Sequence, residues 1–299
     1  MLSFQPLSLD DKNFIDTLAA MEDSRSADFV FGNMFLWDGK YRQSVCRFGD
    51  RLIVKVEGEH VPVFPFPIGG GDLAPAIEAM RRHARDEGYP FSLRGVEVHH
   101  REELERLFPG RFIFVHDRDY DDYIYSAEKL ASLSGKKLHG KRNHINRFEA
   151  SYPDHRFEAL TGKHFPLCME LLGEWSTEVS QGSHLVFSER EAIELAFSHF
   201  DELGLMGGAL FVGNELAAFT IGEQISSDTF DVHFEKARSD IEGAYPMINR
   251  EFVRHVLREL PHISYVNRED DMGLDNLRRS KLSYRPEMIL EKYSAHWID

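Results

Sequence analysis

Apolar and polar positions alternate in short runs along the first part of the chain, and longer stretches with helical spacing separate them. Residues 7–21 read as an opening helix and 22–28 as a polar loop, and the aromatic-rich stretch 29–37 reads as a short buried helix. Residues 41–48 and 52–56 alternate with period two about Gly49-Asp50, which predicts a β-hairpin. The next apolar run, 61–68, predicts a strand leading into Gly69-Gly70-Gly71-Asp72. Beyond it Leu73, Ile77, Met80 and Ala84 recur on one helical face. Asp72 stands where an N-cap belongs, and Pro75 lies in the first turn, where a missing N–H costs no hydrogen bond.

The second part of the chain repeats this order. Strands are predicted at 209–212 and 216–221 about Gly213-Asn214, and again at 229–234. A loop then runs through Gly243 into a helix with Pro246 in its first turn and Ile248, Phe252, Val256 and Leu260 on one face. Sixteen residues past Pro75 a strand begins at Phe91, and seventeen past Pro246 another begins at Ile263. Each is followed by a helix (102–107, 274–282) and a closing strand (111–116, 288–293). Strand, glycine loop, helix, strand, helix, strand, twice in one chain, predicts an internally duplicated α/β protein: two mixed sheets flanked by helices. The boundary is expected within 120–126, dividing the chain into halves 1–125 and 126–299.

Composition adds limits. Of 299 residues 42% are hydrophobic and 23 are Phe, enough for two packed cores. The two cysteines, Cys46 and Cys168, have no paired spacing, so neither a disulfide framework nor a thiolate metal site is expected, and a reducing compartment is. No apolar run approaches the roughly 18 residues of a membrane helix, and residues 1–6 lack the pattern of a secretory signal; a cytoplasmic protein without an integral membrane segment is expected. A net charge of −15 argues against binding double-stranded DNA. The chain lacks G-x-S-x-G, H-E-x-x-H, C-x-x-C and Walker-type motifs. His139 and His144, five apart, point in different directions on a helix. Asp117, Asp119, Asp121 and Glu128 imitate a calcium loop whose turn glycine is replaced by Asp122. No metal and no tightly bound cofactor is therefore expected.

One segment departs from the acidic background. Lys136-Lys137-Leu138-His139-Gly140-Lys141-Arg142-Asn143-His144-Ile145-Asn146-Arg147-Phe148 carries five formal positive charges and no acid. Leu138, Ile145 and Phe148 can anchor a helix whose other face presents Lys137, Lys141 and His144, either as a solvated surface or as an anion site. This run resembles the hallmark of the bacterial DUF2156 family. So do Glu235-Lys236-Ala237, Gly243-Ala244-Tyr245-Pro246-Met247-Ile248-Asn249, Asn267-Arg268-Glu269-Asp270-Asp271-Met272-Gly273 and Leu277-Arg278-Arg279-Ser280-Lys281-Leu282-Ser283-Tyr284-Arg285-Pro286. More distantly the chain is similar to the cytosolic domain of phosphatidylglycerol lysyltransferases and to Fem-type aminoacyltransferases.

The resemblance implies tandem acetyltransferase-type (GNAT) folds. It also implies acyl or aminoacyl transfer from an acyl-CoA or aminoacyl-tRNA donor to an amine or hydroxyl. On that expectation Glu235, read as ending a strand, is the candidate base or amine-binding carboxylate, with Lys236 on the opposite face. Lys137, Lys141 and Arg142, the helix opening at Gly243, Ala244 and Tyr245, the strand end at Asn267 and Arg268, and Lys281 are candidates for holding the donor. Arg279 stands where single-domain acetyltransferases often carry a general-acid tyrosine. That departure supports the alternative of a non-catalytic tandem module binding a nucleotide, RNA or protein partner.

Overall fold

In a computed structural model the structure describes residues 2–58, 61–179 and 184–298, with no side chains for 174–179 and 184–188. The chain forms two compact units. The first comprises 1–122, 270–274 and 289–299; the second comprises 123–269 and 275–288. The strands in chain order are β1 (Gln5–Pro6), β2 (Gln43–Phe48), β3 (Arg51–Val56), β4 (Phe64–Pro65), β5 (Ser92–Val96), β6 (Phe112–His116) and β7 (Asp122–Ser126). They continue with β8 (Arg156–Ala159), β9 (Met206–Val212), β10 (Glu215–Gln224), β11 (Thr229–Ala237), β12 (Tyr265–Asn267), β13 (Met288–Leu290) and β14 (Tyr293–Trp297).

In the first unit the antiparallel sheet β1-β2-β3 adjoins the four-stranded sheet β4-β5-β14-β6 through isolated bridges, Val56 to Val63 and Arg51 to Gly69. Strand β4 is shorter than the apolar run 61–68 predicts. Pro62, Pro65 and Pro67 supply no N–H to a ladder, so only Phe64 and Pro65 pair with β5. Helix Leu73–Asp86 buries Leu73, Ala76, Ile77, Met80 and Ala84, the stripe read from the sequence and one residue more. Burying side chains the size of Ile77 and Met80 stabilises such a core by about 1.5–3 kcal/mol each.

The second unit is a seven-stranded sheet of order β13-β7-β12-β11-β10-β9-β8. Written from the hairpin side, the two units read β1-β2-β3-β4-β5-β14-β6 and β8-β9-β10-β11-β12-β7-β13. Each has a single parallel neighbour pair among those described, β4 with β5 and β11 with β12, at the same place. A crossover helix links each of these pairs, Leu73–Asp86 in one unit and Ala244–Glu259 in the other, as a parallel connection requires. The duplicated plan and the two mixed sheets are thus those expected.

The units differ from the halves 1–125 and 126–299 in two strands. Strand β7 follows the first unit's strands in sequence but pairs with β12. The closing run 288–293 is two strands: β13 joins the seven-stranded sheet beside β7, whereas β14 lies between β5 and β6. Lys292 marks the break. Its buried ammonium lies 2.8 Å from Asp28 Oδ2 and 2.9 Å from Asp122 Oδ1, and its amide donates to Asp121 Oδ1 at 3.1 Å. Burial would lower this lysine, but Asp122 and Asp28 outweigh it and raise it well above the ordinary value.

Candidate functional site

Strands β11 and β12 pair only at Thr229–Asp231 with Tyr265–Asn267. Strand β11 then runs six residues further, 232–237, so Glu235 lies inside the strand, two residues before its end. The register shift between Ile221 and Gly222 leaves His233 as an extra residue in β11 and breaks the alternation. Glu235, opposite Thr220, lies on one face, whereas Asp231, opposite Glu223, and Lys236, opposite Phe219, lie on the other, where the Lys236 ammonium meets Glu189 at 2.8 Å. Beyond Asn267 the chain turns: the Asn267 side-chain oxygen accepts the Glu269 N–H at 2.6 Å, and Glu269 adopts a φ of 55°. That turn presents Arg268 to the unpaired flank of β11.

Both oxygens of Glu235 are engaged. Arg268 Nη2 donates to Oε1 at 3.0 Å, and Asn249 Nδ2, from helix Ala244–Glu259, donates to Oε2 at 3.1 Å. The pair is nearly dry, with side chains 9% and 13% exposed for Glu235 and Arg268. Two further polar atoms, Arg268 Nη1 and Asn249 Oδ1, are buried without a hydrogen-bond partner among the described residues. Leaving each unsatisfied costs about 1–3 kcal/mol. The guanidinium lies 5.1 Å from the ring of Tyr284 and 5.9 Å from that of Tyr125, and the Lys141 ammonium lies 3.8 Å from the Tyr284 ring.

These contacts set the electrostatics. Burial pushes the Lys141 amine down to about 8, the Arg268 charge adds to the effect, and Glu235 pulls in the opposite direction. Burial would lower Arg268, but Glu235, Tyr125 and Tyr284 outweigh it and the net shift is upward. Burial raises both phenols. The arrangement is a buried carboxylate of fixed orientation, a permanent cation and an amine that titrates near neutrality.

Local packing explains how the basic segment reaches this place. Helix His139–Ser151 buries Ile145 and Phe148. Gly243, at φ 88°, caps the start of helix Ala244–Glu259. A Cβ there would stand 3.1 Å from both the His144 carbonyl oxygen and Phe148 Cβ, so only glycine allows the two helices to approach.

Of the residues singled out from the sequence, the structure brings together Glu235, Arg268 and Lys141. Lys281 braces them from behind: its ammonium donates to the Glu269 carbonyl at 3.1 Å and to that of Arg268, and its own carbonyl accepts the Tyr125 hydroxyl at 2.9 Å. Lys137 is exposed. Arg142 donates to the carbonyls of Leu133 and Gly135 and so closes the turn ahead of its helix. At the opening of helix Ala244–Glu259 the Ala244 amide donates to the Ile241 carbonyl at 3.2 Å, while the Tyr245 side chain is exposed. Sequence reasoning missed Asn249, Tyr125 and Tyr284 as members of the site. The signal for Asn249 was a lone amide on the stripe Ile248, Phe252, Val253 and Val256, all fully buried.

The two mixed sheets flanked by helices form a tandem acetyltransferase-type α/β fold. The chain belongs to the family described as phosphatidylglycerol lysyltransferase, C-terminal, whose sequence profile matches residues 20–296. A conserved protein of unknown function from Bacteroides thetaiotaomicron is 39% identical, with a TM-score of 0.93 and both chains covered in full. The DUF2156 domain of a putative lysylphosphatidylglycerol synthetase from Agrobacterium fabrum shares the fold at 13% identity, with a TM-score of 0.67 and 98% and 93% of the two chains covered. FemX does so at 9% identity, with a TM-score of 0.61 and coverage of 98% and 96%. An uncharacterized Mycoplasmoides gallisepticum protein is 25% identical over 175 residues, 58% of this chain and 54% of that protein; the match spans about half the length of that curated relative. Among the described residues no helix is long and apolar enough to cross a membrane.

Proposed function

We propose that this protein transfers an acyl or aminoacyl group from an activated ester or thioester, the end of an aminoacyl-tRNA or an acyl-CoA, to an amine or hydroxyl acceptor, and that the second unit carries the chemistry. The reading rests on one observation: Glu235, Arg268 and Asn249 form a buried hydrogen-bonded cluster with Lys141, an amine that titrates near 8, beside it. Transfer of this kind needs an oriented acceptor, a place for one proton and a cation for the developing oxyanion. A carboxylate has about four lone-pair sites. Two of those on Glu235 are used, and the others are available to an ammonium group or an acceptor N–H. Neutral Lys141 takes the acceptor's proton as the new bond to the acyl carbon forms. The proton then passes to the departing oxygen or sulfur as the old bond breaks. Arg268 Nη1, a buried donor with no hydrogen-bond partner among the described residues, is the candidate for the oxyanion. Membership of a family named for lysyl transfer favours an aminoacyl donor over an acyl-CoA.

The test is a panel of aminoacyl-tRNAs and acyl-CoAs offered with small amines and with phosphatidylglycerol, comparing the wild type with Glu235→Gln. Transfer from one donor class is expected in the wild type. In Glu235→Gln, turnover should fall by about 10²–10⁴ at unchanged donor affinity if the carboxylate acts on the transferred proton, or acceptor affinity should fall if it only binds. Full activity in that variant at unchanged melting temperature would remove Glu235 from the mechanism. Donor binding with no turnover for any acceptor would favour the binding-module alternative, which the arginine at 279 supports.

A further inference from the structure

A second cluster lies on the face of β11 opposite to Glu235, where the sequence contains no metal-binding motif. His233, its side chain fully buried, has Glu223 Oε1 2.9 Å from Nε2; Asp231 Oδ2 at 2.9 Å and Glu269 Oε1 at 3.1 Å both face Nδ1. Asp231 stands opposite Glu223 in the β10–β11 ladder, and His233, the extra residue of the bulge, reaches both. Glu223 comes from the neighbouring strand β10, and the turn after β12 brings Glu269 in. The three atoms Asp231 Oδ2, His233 Nδ1 and Glu269 Oε1 lie within 4.8 Å of one another.

Three carboxylates surround one imidazole in a dry place. If the ring is an imidazolium, two net negative charges remain, and a single Nδ1–H faces two carboxylate oxygens. The ammonium of Lys281, hydrogen-bonded to the carbonyls of Arg268 and Glu269, is a compensating charge beside the cluster. A divalent ion in place of the Nδ1 proton would leave one net negative charge, which Lys281 balances.

We infer that Asp231, His233 and Glu269 form a three-ligand site for a divalent transition-metal ion of the zinc class. One nitrogen and two carboxylate oxygens suit such an ion. Donor atoms about 2.0–2.1 Å from a tetrahedral centre stand roughly 3.3 Å apart, so the separations of His233 Nδ1 from Asp231 Oδ2 and Glu269 Oε1 need to open by only a few tenths of an ångström. The Nε2–H bond to Glu223 is the outer-shell contact that fixes a metal-binding imidazole and leaves Nδ1 as the ligand. The bound ion ties β11 to the turn that presents Arg268, and so holds the Arg268–Glu235 pair in register.

A comparable set in the first unit, Glu22, His99 and His100, does not share this wiring. The Glu97 amide donates to His100 Nδ1 at 3.3 Å, which puts the ring proton on Nε2, facing Glu22 at 2.7 Å, and leaves no lone pair for an ion. The experiment therefore uses the full chain carrying His99→Gln, an exposed position, so that only the second cluster is read. The protein is stripped with chelator and dialysed against zinc or manganese chloride, and its metal content is measured. About one equivalent of zinc is expected, lost on adding His233→Gln and held about 10–100-fold more weakly on adding Glu223→Gln. Zinc should also raise the melting temperature of the His99→Gln protein, a reading that does not depend on His233→Gln folding. No zinc uptake by the His99→Gln protein, or uptake that survives both His233→Gln and Glu269→Gln, would overturn the inference and leave His233 as a buried imidazolium.

Discussion

At the scale of single residues the informative side chain is Lys141. The unfolded chain holds its proton to about pH 10.4, whereas burial and Arg268 make the folded protein release it at about 8. Below pH 8 both states carry the proton and the folded protein bears the cost of burying it. Between about 8 and 10.4 the unfolded state binds more protons, so stability contributed by this position rises with pH. Urea midpoints measured from pH 7.5 to 10 should therefore rise less steeply in Lys141→Met than in the wild type. Catalysis gives a second reading. If neutral Lys141 accepts the acceptor's proton, kcat/KM should rise through about pH 8, and Lys141→Arg, charged at every accessible pH, should flatten that limb. An unchanged limb in Lys141→Arg would assign it to another group. Arg268 and Lys141 were legible in the sequence because a strand end and a dense basic run mark them, and Glu235 was singled out as ending a strand that in fact runs two residues further. Tyr284 was not, because its role follows from where helix Asp275–Ser283 ends against Lys141, which no local spacing encodes.

At the scale of elements the site depends on how β10 and β11 fit together. The apolar pattern predicts strands at 216–221 and 229–234. Both extend further, to Gln224 and Ala237, because polar residues inside a pleated pair are supported by partners on other elements that the pattern does not contain. The register of β10 on β11 shifts between Ile221 and Gly222. A Cβ on Gly222 would stand 2.0 Å from the Asp231 carbonyl oxygen and 2.7 Å from the Phe230 ring. Backbone cannot swing aside as a side chain can, so β10 would have to move away from β11. Gly222→Val should cost at least the roughly 1–3 kcal/mol typical of overpacking, seen as a melting temperature lower by several degrees. Because Glu223 is the next residue, the same variant should loosen zinc retention. Gly39→Ala, at a position with open space around its Cβ, is the control expected to leave both unchanged.

At the scale of the whole molecule the repeat was legible and the allocation of its strands was not. Periodicity reports that a run is a strand but carries no information about which sheet it joins. Read linearly, 111–116 closes the first half, 288–293 closes the second, and 120–126 is only the boundary between them. In the structure β7 lies between β12 and β13, and β14 between β5 and β6, so each sheet receives its penultimate strand from the other end of the repeat. Five residues of β14 pair with β6 and three with β5, and Ala295 at its centre is fully buried. A chain divided at 125/126 therefore leaves residues 1–125 without the strand between β5 and β6, and 126–299 without the strand between β12 and β13. Each fragment then carries two open ladder edges in place of a filled slot, a template for aggregation. Expressed separately, both fragments should be insoluble or should lack a cooperative thermal transition. Co-expressed, they should recover a soluble complex, because β7 and β14 are both present and each slot can be filled. A cooperative melt from either fragment alone would show that the strand exchange is dispensable for folding. Recovery on co-expression that survives deletion of 291–299 would show the same for β14.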